Sequence, residues 1–318
     1  MTPSPSRGLA ASIVAGDRRA LARAITAVEA GDASADPLLR KLFPRTGRVP
    51  IVGLTGPLGV GKSSLVNLLV AHLRGLGRTV GVVAVDPSSP FSGGSVLGDR
   101  IRLERRADDE GVFFRSMASR GASGGVAAST RDVARLLEAA GFDVVIVETV
   151  GSGQVDVAIR EVATTRIVVV VPHLGDEVQT LKAGLFEISD IFCINKSDLP
   201  GAETAERHLS ELSSLGPAPD GWRPRIVRTS AVIPSGVPEL WAAVEAHETF
   251  VAGSPDHRDE LRRRLSEEIV GRVREVVARE TAERLETDPS LRRLIDQVVA
   301  REIDPRTAAD RLLAWRRP

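Results

Sequence analysis

Several residue types are scarce in this sequence, and each scarcity excludes something. A single cysteine, Cys193, rules out a disulfide framework and fits a reducing compartment. The longest apolar runs, such as 167–171, are strand-sized and too short to span a bilayer. The weakly apolar stretch 9–15 is too short and too rich in alanine for a secretory signal, and Asp17, Arg18 and Arg19 interrupt it. Net charge is absent: 42 acidic residues cancel 42 basic ones, so no global field draws nucleic acid or an anionic membrane. A soluble, cytoplasmic chain with neither kind of partner is expected.

Other scarcities are positional. Lysine occurs only at 41, 62, 182 and 196, asparagine only at 67 and 195, and glutamine only at 154, 179 and 297. Arginine serves wherever any cation suffices, so a retained lysine or amide marks a place where chemistry is more demanding.

What is present is a regular alternation. Apolar spacing predicts an amphipathic helix over 8–30 and a short one over 37–43. From 49 onward, Val/Ile-rich strands at 49–54, 79–85, 111–115, 142–147, 166–171, 191–194 and 225–229 are interleaved with helices at 62–76, 130–140, 177–188 and 203–214. Continuous rather than alternating apolar runs mean strands buried on both faces, hence an α/β domain with a mostly parallel sheet. Beyond 254 the chain is dense in Arg and Glu, with Leu261, Leu265, Ile269, Val273, Val276 and Val277 on one helical stripe. Asp288-Pro289 and Asp304-Pro305 each resemble a helix start, giving two or three helices. The expected organisation is an N-terminal helical extension (1–48), an α/β domain (49–253) and a C-terminal helical arm (254–318).

The chemistry is concentrated in short motifs. Gly56-Pro57-Leu58-Gly59-Val60-Gly61-Lys62-Ser63 matches G-x-x-x-x-G-K-[ST] between a predicted strand and helix, with Ser64 next in line. Its glycines let backbone N–H groups wrap phosphate at a helix N-terminus; Lys62 would reach the β- and γ-phosphates and Ser63 would ligate Mg²⁺. Asn195-Lys196-Ser197-Asp198 follows the strand at 191–194. Asp198 can accept two hydrogen bonds from guanine, whereas adenine would leave the carboxylate unpaired, a discrimination of roughly 10⁴–10⁵. Asn195 and Lys196 would brace base and loop, and Thr229-Ser230-Ala231 resembles a third base-contacting element, so GTP/GDP is the expected ligand. Asp86, Asp99 and Glu148, at or near carboxyl ends of strands, are candidate Mg²⁺ ligands, and Glu148-Thr149-Val150-Gly151 stands where a D-x-x-G switch is usual.

Three further segments carry a resemblance: Asp86-Pro87-Ser88-Ser89 with Gly93-Gly94-Ser95-Val96-Leu97-Gly98-Asp99; Glu148 through Gln154; and Gly175-Asp176-Glu177-Val178-Gln179 through Lys182. Together with the nucleotide motifs they closely resemble the MeaB/ArgK group of GTPases, chaperones of adenosylcobalamin-dependent acyl-CoA mutases such as methylmalonyl-CoA mutase. The resemblance implies a P-loop G domain related to signal-recognition-particle GTPases, a C-terminal arm that forms a homodimer, and GTP hydrolysis that gates delivery and repair of the mutase's B12 cofactor. It also implies that 175–182 is a third switch. The scarcity of lysine singles out Lys182 there, and Lys62, Asp99, Glu148 and Lys182 are the expected catalytic group. Ala183, Leu58 and Pro172-His173-Leu174 depart from the family pattern and leave the identity of the mutase open.

Position 152, where many small GTPases hold a water-orienting glutamine, is Ser152, and Gln154 lies two residues on; slow, partner-stimulated hydrolysis is therefore expected. Arg115, Arg120 or a partner's arginine could supply transition-state charge. Three alternatives are weighed against this. A nickel-delivery GTPase would want a Cys/His site, and the five histidines stand at no metal-ligand spacing from Cys193, which reads as core. A small-molecule kinase would not need N-K-x-D. A protein-targeting GTPase would want a methionine-rich or membrane-facing domain, and the chain has two methionines.

Overall fold

The computed structural model describes residues 5–86, 109–118, 129–149, 157–172, 188–215 and 221–314. The chain opens with α1 (Pro5–Val14), α2 (Arg18–Ala30) and α3 (Ala35–Leu42). Apolar spacing alone predicts one helix over the first two, but the backbone turns at Gly16. Asp17 then caps α2, its carboxylate accepting from Arg19 N (2.9 Å) and Ala20 N (3.0 Å). A capping side chain ended the periodicity where the apolar pattern ran on.

The sheet contains β1 (Ile51–Thr55), β2 (Val80–Asp86), β3 (Val112–Ala118), β4 (Val144–Glu148), β5 (Thr165–Val170), β6 (Ile191–Ile194) and β7 (Arg225–Arg228). Their order is β3-β2-β4-β1-β5-β6-β7, and every pairing is parallel. β1 and β4 are buried along their whole length, as unbroken Val/Ile runs require. Helices α4 (Lys62–Gly75), α5 (Thr130–Ala139), α6 (Ala202–Leu215) and α7 (Val237–Gly253) accompany the sheet. Motif and periodicity do not anticipate α7; it starts after Gly236 and buries Val237, Leu240, Trp241, Val244 and His247.

Helices α1–α3 share one hydrophobic core with the sheet, contributing Ile13, Leu21, Ile25 and Leu38. They also cover its β3 edge. Arg18 donates to the carbonyls of Glu110 (2.9 Å) and Val112 (2.5 Å), and its guanidinium lies over the Phe113 ring. Arg115 pairs with Glu29 of α2 through Nε (3.1 Å) and Nη2. This corrects one expectation. Arg115 is committed to α2 on the edge strand, three strands and roughly 14 Å from β1, and is not placed to meet a phosphate.

By internal contacts the chain divides into Met1–Ser254 and Pro255–Pro318. The second unit holds α8 (His257–Thr287), α9 (Pro289–Val299) and α10 (Pro305–Ala314). Asp304 caps α10, accepting from Arg306 N (2.9 Å) and Thr307 N (3.2 Å). Along α8, Leu261, Ile269, Val273 and Val276 are exposed. Among the described residues no helix is long and apolar enough to cross a membrane.

Candidate functional site

The nucleotide motifs converge at the carboxyl ends of the central strands, where ligands bind in open α/β sheets. The phosphate loop runs from β1 into α4. Gly56 has φ +144, and a Cβ there would stand 2.2 Å from the Val169 carbonyl oxygen; Gly61 has φ +92, and its Cβ would meet Asn195 Nδ2 at 2.5 Å. Only glycine fits either position. Gly59 lies between them, and Val60 is buried beneath the loop. Lys62, at the first turn of α4, is buried, and its ammonium donates to the carbonyls of Gly56 (2.8 Å) and Pro57 (2.9 Å).

Parallel register carries the second component to this loop. Leu54 of β1 pairs with Glu148 of β4, so Glu148 emerges beside the start of the phosphate loop. The Ser63 hydroxyl donates to Glu148 Oε1 at 2.5 Å. Thr149 fixes the exit from β4, donating from both N (3.1 Å) and Oγ1 (3.2 Å) to the Leu54 carbonyl. Ser64 is half-buried one residue along the helix. On the neighbouring strand Ala84 is in register with Glu148, so Asp86 closes β2 two residues further toward the same end.

The side expected to hold guanine is built from the loops after β6 and β7. Asn195 donates through Nδ2 to the Val60 carbonyl (2.8 Å), and Lys196, in the left-handed region at φ 56, donates to the Gly59 carbonyl (2.8 Å). Thr229 accepts at its carbonyl from Ser197 N (3.0 Å), joining the two loops. Ser230 Oγ donates to Asp198 Oδ1 and accepts from Ile233 N (3.1 Å), so the carboxylate expected to read guanine is held in place. Ala231 follows at the start of the turn that an isolated bridge between Ser230 and Ser235 closes.

Asp99, Arg120, Ser152, Gln154, His173 and Gln179 and Lys182 of the expected third switch lie outside the described residues. Cys193 is core, as expected, and burial pushes its thiol up to about 12. It also touches Thr229 Oγ1 at 3.1 Å, a contact that spacing does not announce. Among the described residues no group of three or more His, Cys, Asp and Glu side chains stands together as a metal-ion site. Thr149 and Thr229 are the positions that sequence reasoning under-read: both lie inside recognised motifs, but only the structure shows what their hydroxyls hold.

A glycine-bound loop at a helix start, an acidic group beside its serine and a second carboxylate held by Ser230 are the arrangement expected of a GTP site. Comparison with known proteins agrees. The family model for the methylmalonyl-CoA mutase-associated GTPase MeaB matches residues 21–286. A putative GTPase of Pyrococcus abyssi is 46% identical over 301 residues, covering 94% of this chain and 93% of its own. GTPase ArgK of Escherichia coli is 38% identical over 247 residues, covering 75% of each chain. The mitochondrial methylmalonic aciduria type A homolog of Mus musculus is 31% identical, covering 95% of this chain and 77% of its own. Among solved structures, one described as a LAO/AO transport system kinase superposes with a TM-score of 0.72 at 28% identity, covering 99% of this chain and 98% of its own. The chain therefore belongs to the MeaB family of methylmalonyl-CoA mutase-associated GTPases.

Proposed function

We propose that the chain hydrolyses GTP at this site in order to gate the loading, protection and repair of the adenosylcobalamin cofactor of an acyl-CoA mutase in the cytoplasm. The observation that carries the nucleotide chemistry is the Ser63–Glu148 contact of 2.5 Å, which joins the P-loop serine to the acidic switch position. The backbone of Gly56, Gly59, Val60 and Gly61 cradles the phosphates, and Lys62 turns from its own loop carbonyls to the β- and γ-oxygens. Asp198, steadied by Ser230, reads guanine, with Asn195, Lys196 and Ala231 lining the base.

The Ser63 and Glu148 oxygens are the hard donors that Mg²⁺ takes, and Asp86 and Asp99 are the further acidic candidates. Bound Mg²⁺ would neutralise charge developing on the transferred phosphoryl group. Lys182 links nucleotide state to the mutase through the third switch. Helices beyond 254 form the homodimer contact along the Leu261–Val276 stripe, with 1–48 as an extension of the G domain.

The test is GTP turnover by the purified chain, alone and with candidate adenosylcobalamin-dependent mutases, beside Lys182→Ala. One mutase should accelerate turnover, and Lys182→Ala should abolish that acceleration while nucleotide still binds. Fast turnover alone, unchanged by every mutase, would overturn the gating role and leave the GTPase.

A further inference from the structure

The phosphate loop carries one side chain that nucleotide binding leaves unexplained. Leu58, the third residue of the Gly56–Ser63 motif, is 81% exposed, more than any other large apolar side chain among the described residues. It fills no core, and a leucine left in water forgoes the free energy that burial would give.

Its place in the loop says what it stands over. The Lys62 ammonium donates to the carbonyls of Gly56 (2.8 Å) and Pro57 (2.9 Å). A planar trans peptide sets the next Cα beside the carbonyl oxygen, so the Leu58 Cα lies within about 6 Å of Lys62 Nζ. Lys62 is the cation expected at the β- and γ-phosphates. The isobutyl group of Leu58 therefore rises into solvent at the end of the loop where the γ-phosphate is expected.

Hydrolysis acts at that end. Water attacks the γ-phosphorus, the bond to the β–γ bridging oxygen breaks, and GDP, phosphate and a proton leave. An arginine inserted by a partner commonly neutralises the charge that develops, an effect worth roughly 10³–10⁵ in rate. Such a guanidinium must come to about 2.8 Å from a phosphate oxygen, and Leu58 occupies its approach. Arg115 of this chain is already held by Glu29 on the edge strand.

We propose that Leu58 is a screen at the γ-phosphate end of the site, which excludes a partner's arginine and confines transition-state stabilisation to groups of this chain. The inference rests on the GTPase reading of the site. An apolar group there also keeps bulk water from the phosphate oxygens, which strengthens their interaction with Lys62. A stimulating partner then acts by ordering this chain's own groups and brings no cation to the phosphate.

The test uses guanidinium ion as an untethered arginine head group, below denaturing concentration and against sodium chloride at equal ionic strength. GTP turnover by the wild type should change less than about twofold. Leu58 lies outside the left-handed region, so alanine fits its backbone. Leu58→Ala should be accelerated about tenfold by guanidinium, in kcat with KM unchanged. Leu58→Met restores the bulk and should be as unresponsive as the wild type. Fluorine NMR of the GDP–aluminium fluoride complex gives a readout independent of rate: guanidinium should shift the fluoride resonances in Leu58→Ala and leave them in place in the wild type. An equal guanidinium response in wild type and Leu58→Ala would overturn the screen and leave the GTPase reading intact. So would a Leu58→Ala variant that ignores guanidinium and loses only its acceleration by a mutase, which would make Leu58 a docking contact. Absence of turnover in every form would remove both readings.

Discussion

Ser63 and Glu148 are 85 residues apart in sequence, and their side-chain oxygens are 2.5 Å apart in space. Parallel pairing of β1 with β4 produces that meeting: Leu54 opposite Glu148 fixes where the acidic side chain emerges. The contact brings Glu148 to the serine of the P-loop motif, where an ordinary strand-end carboxylate would have no such partner.

Glu148→Gln keeps the shape and most of the hydrogen bonding but removes the charge. GTP turnover at saturating Mg²⁺ should fall about 100-fold, while GDP binding without Mg²⁺ should change little. Turnover within threefold of wild type would show that Glu148 is a structural partner of Ser63 and nothing more.

Base selection should follow Asp198. Asp198→Asn replaces a double acceptor by a group that offers N–H to the base, so the preference for GTP over ATP should fall by two or more orders of magnitude of the roughly 10⁴–10⁵ available. Competition binding with GDP, XDP and ADP measures it. XDP should gain, because xanthine presents an oxygen where guanine presents an amine.

Gly61→Ala should abolish nucleotide binding, because its Cβ would intrude on Asn195 Nδ2 at 2.5 Å in a backbone conformation with φ +92. Calorimetric titration with GDP reads the loss, and circular dichroism should show the fold retained. Wild-type affinity would mean that Asn195 can move aside without consequence.

Two groups, part-buried Asp143 and buried His247, each withdraw stability in acid, over different pH ranges. Backbone and hydroxyl donation from Thr79 (2.7 and 2.8 Å) holds the Asp143 carboxyl below its usual 3.8, so its contribution is present above that pH and lost as pH falls. Burial lowers the His247 pKa from 6.5 against the opposing pull of Asp190 and Glu248. Unfolded His247 therefore takes up a proton first, and stability starts to fall as pH drops through 6.5. Thermal unfolding from pH 8 to 3 should show Asp143→Ala less stable than wild type near neutrality and converging with it in acid. His247→Phe should flatten the decline below 6.5; an unchanged slope there would remove His247 as its source.

The placement of the candidate site's motifs was legible because phosphate and guanine recognition each need a few residues at fixed short spacing. The P-loop, Asn195–Asp198 and Thr229–Ala231 carry their chemistry in contiguous stretches, so the strands and loops bearing them could be placed to within a few residues. Illegible features depended on partners distant in sequence. Arg115 looked available as a cation until Glu29, 86 residues upstream, was found holding it. The apolar spacing of 8–30 gave no sign that Asp17 would cap a new helix. Cys193 read correctly as core, but its hydrogen bond to Thr229 comes from β6 and β7 lying side by side.

The order of strands also has a consequence for biosynthesis. β1 finds its neighbours only at residues 145–148 and 165–168. At ordinary rates of translation, the phosphate loop leaves the ribosome roughly 5–20 s before β4 exists to flank it. Nucleotide therefore cannot serve as an early template for this chain; the loop waits for the centre of the sheet to close, and GTP should protect only chains already synthesised through β7 from proteolysis.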